Sequence, residues 1–237
     1  MRTLGPVVTS ATPVASGTSI TTGTVSSATL GSKRDMLVFV AWSNLIETVS
    51  SVTWNGEALN YLATASNANS QLDVWYSDGT AQTSGTVTAT FTGTVSNSQC
   101  VAMLFGDLRR AGGGWLDDWF DLTGGLSATA TVSATATYSK FKGTTSAWAF
   151  LWETDVSASA NQGDLRYSAI AGTGATVTQL IVGTSEMAYQ TAVNYVSTLS
   201  SGTALWSGIG VSAAGEQTTR GMLRSGSVIH PTRQLTS

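Results

Sequence analysis

The residues best suited to chemistry lie in one short segment, Trp115-Leu-Asp-Asp-Trp-Phe-Asp121. Its three aspartates could bind Ca²⁺ through oxygen ligands, although their spacing is not that of an EF-hand loop and no glycine separates them. Its two indole rings, beside carboxylates, could instead stack on a sugar and hydrogen-bond its hydroxyls. In a third interpretation the aromatic residues anchor a loop onto the protein body or a neighbouring subunit, and the acids stay solvated. The candidate ligand or subunit contacts are Trp115, Asp117, Asp118, Trp119 and Asp121.

Other catalytic chemistry finds little support. A catalytic triad needs a base that exchanges a proton near neutral pH, and the only histidine, His230, stands seven residues from the end of the chain. A zinc site needs several Cys or His ligands, and the chain has one of each. The motifs of phosphate loops, dinucleotide sites, zinc proteases and α/β-hydrolases are absent. A carboxylate pair for glycoside hydrolysis is conceivable, but no glycosidase pattern accompanies it. We therefore predict a protein that is not an enzyme and has no cofactor or metal site.

The elements that must position these residues are strands. The chain of 237 residues holds 37 Thr and 31 Ser, and only 11% of its residues are charged. The segments 84–95 and 126–138 alternate small or apolar side chains with hydroxyls. That period of two is typical of strands with one buried and one solvated face. With 42% hydrophobic residues and eight Trp, the chain can bury a substantial core.

Local patterns along the chain predict an all-β fold, in the form of a two-sheet antiparallel β-sandwich of jelly-roll type. Residues 36–42 are apolar at every position, which indicates a central strand covered on both faces. Asn55-Gly56 between alternating segments predicts a tight hairpin. Residues 86–95 and 99–105 are predicted as two strands, and 109–125, rich in glycine, as a loop or excursion. We expect an extended N-terminal arm with the first strands over 1–34, the sandwich over 35–212 and a C-terminal arm over 213–237.

Charge is distributed unevenly. All 14 acidic residues lie within 35–216, together with five basic residues, whereas both ends of the chain are basic. This asymmetry is either chance in a sequence of low charge or the sign of arms that dock on an acidic neighbouring subunit. A net charge of −3 gives no support to nucleic-acid binding, and the apolar runs are too short for membrane insertion. The candidate docking residues are Arg220, Arg224, His230 and Arg233.

Two further features bear on the compartment. The start of the chain, Met1-Arg-Thr-Leu-Gly-Pro, lacks the apolar region of a secretory signal. The lone cysteine, Cys100, lies in an apolar run and is expected to be buried. The fold must therefore be stable without disulfides within the chain.

Four sequence motifs resemble a β-sandwich module of tailed-phage virion proteins and bacterial surface proteins. They are Ser51-Val-Thr-Trp-Asn-Gly-Glu-Ala-Leu59, Leu72-Asp-Val-Trp-Tyr76, Gly85-Thr-Val-Thr-Ala-Thr-Phe91 and Val101-Ala-Met-Leu-Phe-Gly106. The closing strand Ala204-Leu-Trp-Ser-Gly-Ile-Gly-Val-Ser212 is similar to the last strand of that module, so the resemblance covers about 35–212. These motifs are signatures of a fold and assign no functional residue.

The resemblance implies a structural or adhesive role in a virion made in the host cytoplasm. The expected function is a capsid decoration, head-fibre or tail-associated protein that docks through its terminal arms. Its expected partners are capsid or tail subunits, further copies of the chain and possible surface glycans. The alternatives are a carbohydrate-binding module or adhesin that uses the 115–121 aromatics, and, with less support, a glycan-active enzyme.

Overall fold

A computed structural model describes residues 7–26, 30, 34–77, 79, 82–106, 116–122, 131–137, 144–160, 164–172, 177–187 and 192–213. These residues form sixteen antiparallel strands and no helix, so they contain no helix able to cross a membrane. The strands are β1 Val7–Ser10, β2 Val14–Ser26, β3 Arg34–Ser43, β4 Val49–Trp54, β5 Glu57–Ala58, β6 Asn60–Ser66, β7 Ser70–Ser77, β8 Ser84–Gly106, β9 Leu116–Leu122, β10 Thr131–Thr137, β11 Thr144–Trp152, β12 Ala158–Ala160, β13 Asp164–Ala171, β14 Thr178–Met187, β15 Ala192–Leu199 and β16 Trp206–Ala213.

The first eight strands make one sheet, which we call the rolled sheet. Its main path runs β5-β4-β8-β3-β7-β6, and β1 and β2 also pair with β8. Because only Leu59 separates β5 from β6 along the chain, the two ends of this path come back together and the sheet is nearly a barrel. The N-terminal strands β1 and β2 are thus part of the rolled sheet.

The bend in the rolled sheet is concentrated in β8. This strand runs unbroken for 23 residues, and its partners change from β2 and β4 to β1 and β3 along its length. The register shifts against β3 and β4, and one of the two against β2, fall where β8 passes residues 90–99. Bulges of this kind bend a strand and increase its twist. Asn97 lies within this bend and has a left-handed φ of 53°. Asparagine tolerates that conformation better than most residues.

Strand β3 supplies two cores. Its even-numbered apolar residues, among them Met36 and Trp42, pack inside the rolled sheet with Trp54 and Trp75. Its odd-numbered residues, such as Phe39, pack on the opposite face against a second sheet. Every residue from 35 to 43 is buried, which explains why the segment is apolar at successive positions rather than alternating.

Two further sheets complete the described body. A five-stranded sheet, ordered β13-β14-β11-β16-β9, covers the outer face of β3 through Ala149, Leu151 and Val182. A three-stranded sheet is ordered β10-β15-β12, and it contacts the face of β11 opposite to Ala149 and Leu151. The two are joined where the indole Nε1 of Trp152 donates to Ser197 Oγ at 2.8 Å. Trp152 and Trp148 are both almost fully buried.

These observations confirm the all-β, antiparallel prediction and correct its details. The rolled sheet is closer to a barrel than to one layer of a two-sheet sandwich. The segments 86–95 and 99–105 belong to the single strand β8, because the bend at Asn97 preserves the ladder instead of ending it. The prediction of a loop over 109–125 is wrong for residues 116–122, which form β9 and pair with β16.

The hairpin prediction is confirmed. Asn55 and Gly56 link β4 to β5 with φ values of 48° and 87°. Two successive positive φ values define the tight turn that matches the twist of the flanking strands. The central strand predicted for 36–42 is likewise confirmed as β3.

Candidate functional site

A polar cleft of about 540 Å³ lies where the rolled sheet meets the end of β11. Four separate parts of the chain line it: the segment after β3, the β6–β7 turn, the bend of β8 and the residue that follows β11. The described lining residues are Ser43, Asn44, Leu45, Ala68, Asn69, Ser96 and Glu153. The cleft therefore combines one carboxylate, two amides and two hydroxyls with an apolar surface that makes up the larger part of its lining.

The β6–β7 turn is held in shape by Asn67. Its Oδ1 accepts hydrogen bonds from the backbone N–H of Asn69 at 3.0 Å and of Ser70 at 2.9 Å. Its Nδ2 donates to Ser70 Oγ at 2.8 Å. An asparagine that satisfies the backbone two and three residues ahead closes a tight turn without help from other elements. This local network fixes the backbone of Asn69 at the edge of the cleft.

The opposite wall depends on Asn44, which has a left-handed φ of 85°. Its Oδ1 accepts from the backbone N–H of Ile46 at 3.3 Å, and its Nδ2 donates to the Thr94 carbonyl at 3.2 Å. The loop is tied down further by Glu47, whose carboxylate accepts from Thr92 Oγ1 at 2.7 Å. The loop after β3 is thus clamped onto the bend of β8.

Glu153 forms the charged floor of the cleft. Its backbone N–H donates to the Leu205 carbonyl at 2.9 Å. Its Oε2 accepts from Asn69 Nδ2 at 2.8 Å, whereas its enclosed Oε1 accepts no hydrogen bond from the described residues. An acceptor enclosed in this way without a donor is costly, and because it has almost no accessible surface its cost is borne by the fold.

A second carboxyl, Asp73 on β7, is buried on the inner face of the rolled sheet. Burial raises its pKa above the ordinary value of 3.8. Gln71 Nε2 donates to its Oδ1 at 3.2 Å. The Thr64 hydroxyl and the Trp75 indole lie beside the carboxyl and oppose the rise in pKa, although neither atom reaches hydrogen-bond geometry. None of the groups that shift the pKa of Asp73 is a cation.

The groups that could act as nucleophiles are held in their neutral forms. Complete burial raises the pKa of the Cys100 thiol to about 12. Burial, with a smaller contribution from nearby Cys100, raises the pKa of Tyr167 to about 12. The Tyr167 hydroxyl donates to Gln99 Oε1 at 3.3 Å, and Gln99 Nε2 is 3.3 Å from Thr178 Oγ1. This polar cluster joins β8 of the rolled sheet to β13 and β14.

None of the candidate site residues predicted from the sequence is among the described residues that line the cleft. Asp117, Asp118, Trp119 and Asp121 lie in β9, at one end of the described five-stranded sheet, and Asp118 pairs with Ser212. Trp115 lies outside the described residues, as do Arg220, Arg224, His230 and Arg233. The described residues contain no group of three or more His, Cys, Asp or Glu side chains placed to hold a metal ion.

Sequence reasoning missed the cleft. The run Asn67-Ala-Asn-Ser70 carries a recognisable turn signal, and an asparagine after a buried strand also suggests a turn. Glu153, however, meets Asn69 across 84 residues of sequence. Nothing in composition or spacing indicates such a pairing when the order of strands in space is unknown.

The chain was compared with family models, curated proteins and solved structures. No family model matches it, no curated protein is significantly similar, and no solved structure matches. The likeness of residues 35–212 to a virion module therefore stays a hypothesis, whereas the described residues have an all-β, antiparallel fold.

Proposed function

We propose that this chain is a non-enzymatic structural protein of a tailed-phage virion, a capsid decoration, head-fibre or tail-associated component that docks through its terminal segments. In this proposal the strands form a sandwich-like body of the jelly-roll kind, made in the host cytoplasm and carried in the virion. The partners are capsid or tail subunits and further copies of the chain.

One observation carries the proposal: side-chain hydrogen bonds tie the sheets to one another. Asn69 joins the rolled sheet to Glu153 after β11, and Gln99 joins it to Thr178 of β14. Trp152 joins the five-stranded sheet to Ser197 of the three-stranded sheet. Polar groups used in this way hold separate sheets in a fixed relation, which suits a protein whose role is to present a surface.

The reactive side chains support the same interpretation. A thiol with a pKa of about 12 is almost entirely protonated at neutral pH and is a poor nucleophile. Tyr167, with a pKa also near 12, serves as a hydrogen-bond donor to Gln99. In both cases burial favours a packing role over a chemical one.

Removal of residues 214–237 tests docking through the C-terminal segment. The truncation leaves β16 intact, because Ala213 is its last residue and still pairs with Thr145. We expect the shortened chain to unfold at the same temperature as the full chain and to be lost from purified particles. A folded, truncated chain that enters particles as efficiently as the full chain would overturn C-terminal docking.

A carbohydrate-binding module or adhesin is the second candidate. It is favoured by the position of β9, which brings three aspartates and Trp119 to one end of the five-stranded sheet. Glycan-array binding that is lost in Trp115→Ala and Trp119→Ala would support this function. An array on which the full chain binds no glycan, or binds equally well in both variants, would remove it.

A further inference from the structure

The turn between β4 and β5 holds the only Asn-Gly pair in the chain, Asn55-Gly56. Both residues are exposed. The backbone N–H of Gly56 makes no hydrogen bond to the described residues, and a Cβ built at Gly56 would meet no atom within 4 Å. The backbone nitrogen that follows the Asn55 side chain is therefore unbonded and open to water.

We propose that Asn55 is a site of spontaneous deamidation in the folded protein, with water as the only co-reactant. The Gly56 nitrogen forms a bond to Asn55 Cγ, and the bond from Cγ to Nδ2 breaks. Nδ2 leaves as ammonia with the proton of the Gly56 nitrogen, and a cyclic imide remains. Water then opens the imide. Cleavage between Cγ and the nitrogen gives aspartate, whereas cleavage between the Asn55 carbonyl carbon and the nitrogen gives isoaspartate.

The turn must open for the ring to close, because φ values of 48° and 87° hold its two residues in the hairpin conformation. The contacts that resist opening are few. β5 is two residues long, and its register with β4 consists of two residue pairs. Asn55 Nδ2 donates to Gln82 Oε1 at 3.2 Å, but this bond is exposed, so water can replace Gln82. A short, exposed hairpin tip opens at a far lower free energy than the whole protein.

The turn geometry also retains the reactive pair. With φ at 87°, position 56 is in a conformation that residues with a Cβ rarely adopt. A bulkier residue would hinder attack on Asn55 Cγ, but it would also strain the turn. The glycine that forms the hairpin is thus the residue that leaves Asn55 open to attack.

Asn69, which precedes the small residue Ser70, is the closest comparison among the described asparagines. Its reacting atoms are both held. The Ser70 N–H donates to Asn67 Oδ1 at 2.9 Å, and Asn69 Nδ2 donates to Glu153 Oε2 at 2.8 Å. The fold therefore restrains deamidation at Asn69 while leaving Asn55 accessible.

The two products differ in their effect on the hairpin. Aspartate tolerates the left-handed conformation as asparagine does. Isoaspartate routes the backbone through Cβ and Cγ, which lengthens a two-residue loop whose length sets the register of its strands. Because β4 also pairs with β8 over 49–54, isoaspartate at position 55 should loosen this edge of the rolled sheet.

Peptide mass spectrometry of the full-length chain, incubated at mildly basic pH with and without guanidinium chloride, tests the site. We expect the peptide with Asn55 to convert its amide to a carboxylate faster than the peptide with Asn69. The ratio of the two rates should be about fivefold or more larger in the folded chain than in the unfolded chain, because hydrogen bonds restrain only Asn69. Asn55→Gln is the control, since the longer side chain forms its imide far more slowly. A ratio that does not rise on folding, or a folded chain that keeps the Asn55 amide, would overturn the proposal.

Thermal unfolding of the separated products tests the effect on the hairpin. The isoaspartyl form should have a lower Tm than the unsubstituted chain, whereas Asn55→Asp, which matches the other product, should have nearly the same Tm. An isoaspartyl form as stable as the unsubstituted chain would contradict the expected loosening. Neither experiment involves virus particles, so the modification and the proposed virion role are tested separately.

Discussion

Asn69 Nδ2 donates a hydrogen bond of 2.8 Å to Glu153 Oε2, and this contact joins a turn of the rolled sheet to the end of the central strand of the five-stranded sheet. The two residues are 84 positions apart. Their pairing shapes the polar cleft and leaves Glu153 Oε1 without a donor among the described residues.

Asn69→Asp should destabilise the protein at neutral pH. The substitution is nearly isosteric but replaces the donor to Glu153 with a second carboxylate, so the free energy of unfolding should fall by about 0.5–1.5 kcal/mol. Denaturant titrations at pH 7 measure the effect. Asn60→Asp, at an exposed position of β6, is the control, and an equal loss in both variants would contradict the role of the contact.

Asp73→Asn should stabilise the protein at neutral pH. Because burial raises the pKa of Asp73, the native state favours the protonated carboxyl, and this contribution to stability is complete below the unfolded pKa of about 4 and is lost as the pH rises through the folded value. The amide oxygen keeps the bond from Gln71 and carries no charge. We expect Tm to rise by about 2–4 °C at pH 7 and to match the unsubstituted chain near pH 3.

Asp155→Asn, at an exposed site, controls for the change in net charge. A Tm for Asp73→Asn that is lower than that of the unsubstituted chain at pH 7 would show that the buried carboxylate is stabilising. A gain in Tm that does not depend on pH would show that the gain does not come from the ionisation of Asp73.

Tyr167→Phe removes the donor to Gln99, a fully buried residue, and should cost about 1 kcal/mol or more at pH 7. The pKa of Tyr167 is raised to about 12 from 10.0 by burial and, to a lesser extent, by Cys100. Its contribution to stability is therefore present below pH 10 and is lost as the pH rises towards 12. Urea unfolding from pH 7 to pH 12 measures the difference in the free energy of unfolding between the unsubstituted chain and Tyr167→Phe. This difference should shrink between pH 10 and pH 12. A difference that stays constant over that range would contradict the prediction.

Cys100 should resist alkylation as long as the protein is folded. Its thiol is completely buried and its pKa is about 12, so very little thiolate exists at pH 8 and reagent has no access. Iodoacetamide labelling followed by mass spectrometry should show modification at the rate of unfolding, and fast labelling in guanidinium chloride. Labelling of the native chain as fast as the denatured chain would contradict the core position.

Gly183→Ala should destabilise the protein by about 1–3 kcal/mol through overpacking. Gly183 pairs with Trp148 across β11 and β14, and a Cβ at this position would overlap the indole ring of that buried tryptophan. Gly17→Ala, where the nearest atoms leave ordinary contact distances of 3.4 Å, is the matched control in β2. Chemical denaturation of the two variants should separate them clearly, and similar stabilities would mean that Trp148 can move aside.

Features encoded by neighbouring residues could be predicted from the sequence. Asn55-Gly56 specifies its own turn because both residues accept positive φ values. Residues 36–42 predict a strand buried on both faces because no polar side chain interrupts them. In each case the physical cause lies within a few residues.

Features that depend on distant residues could not be predicted. The sequence of β8 predicts two strands, since residues 84–95 alternate and residues 100–105 are all apolar. Only the exchange of partners at the bend shows one continuous ladder. The segment that forms β9 was predicted as part of a loop or excursion, because its pairing with β16 depends on residues about 90 positions away. The cleft required Glu153 and Asn69 to be brought together by the order of the sheets.

The central claim is that the chain is a structural component of a virion. Quantitative mass spectrometry of particles purified from cells that carry the gene tests it most directly, with the unpelleted lysate as the reference. We expect the full-length chain to be enriched in the particles at a fixed ratio to the major capsid protein. A chain that remains in the lysate and is absent from the particles, or present in a ratio that varies between preparations, would contradict it.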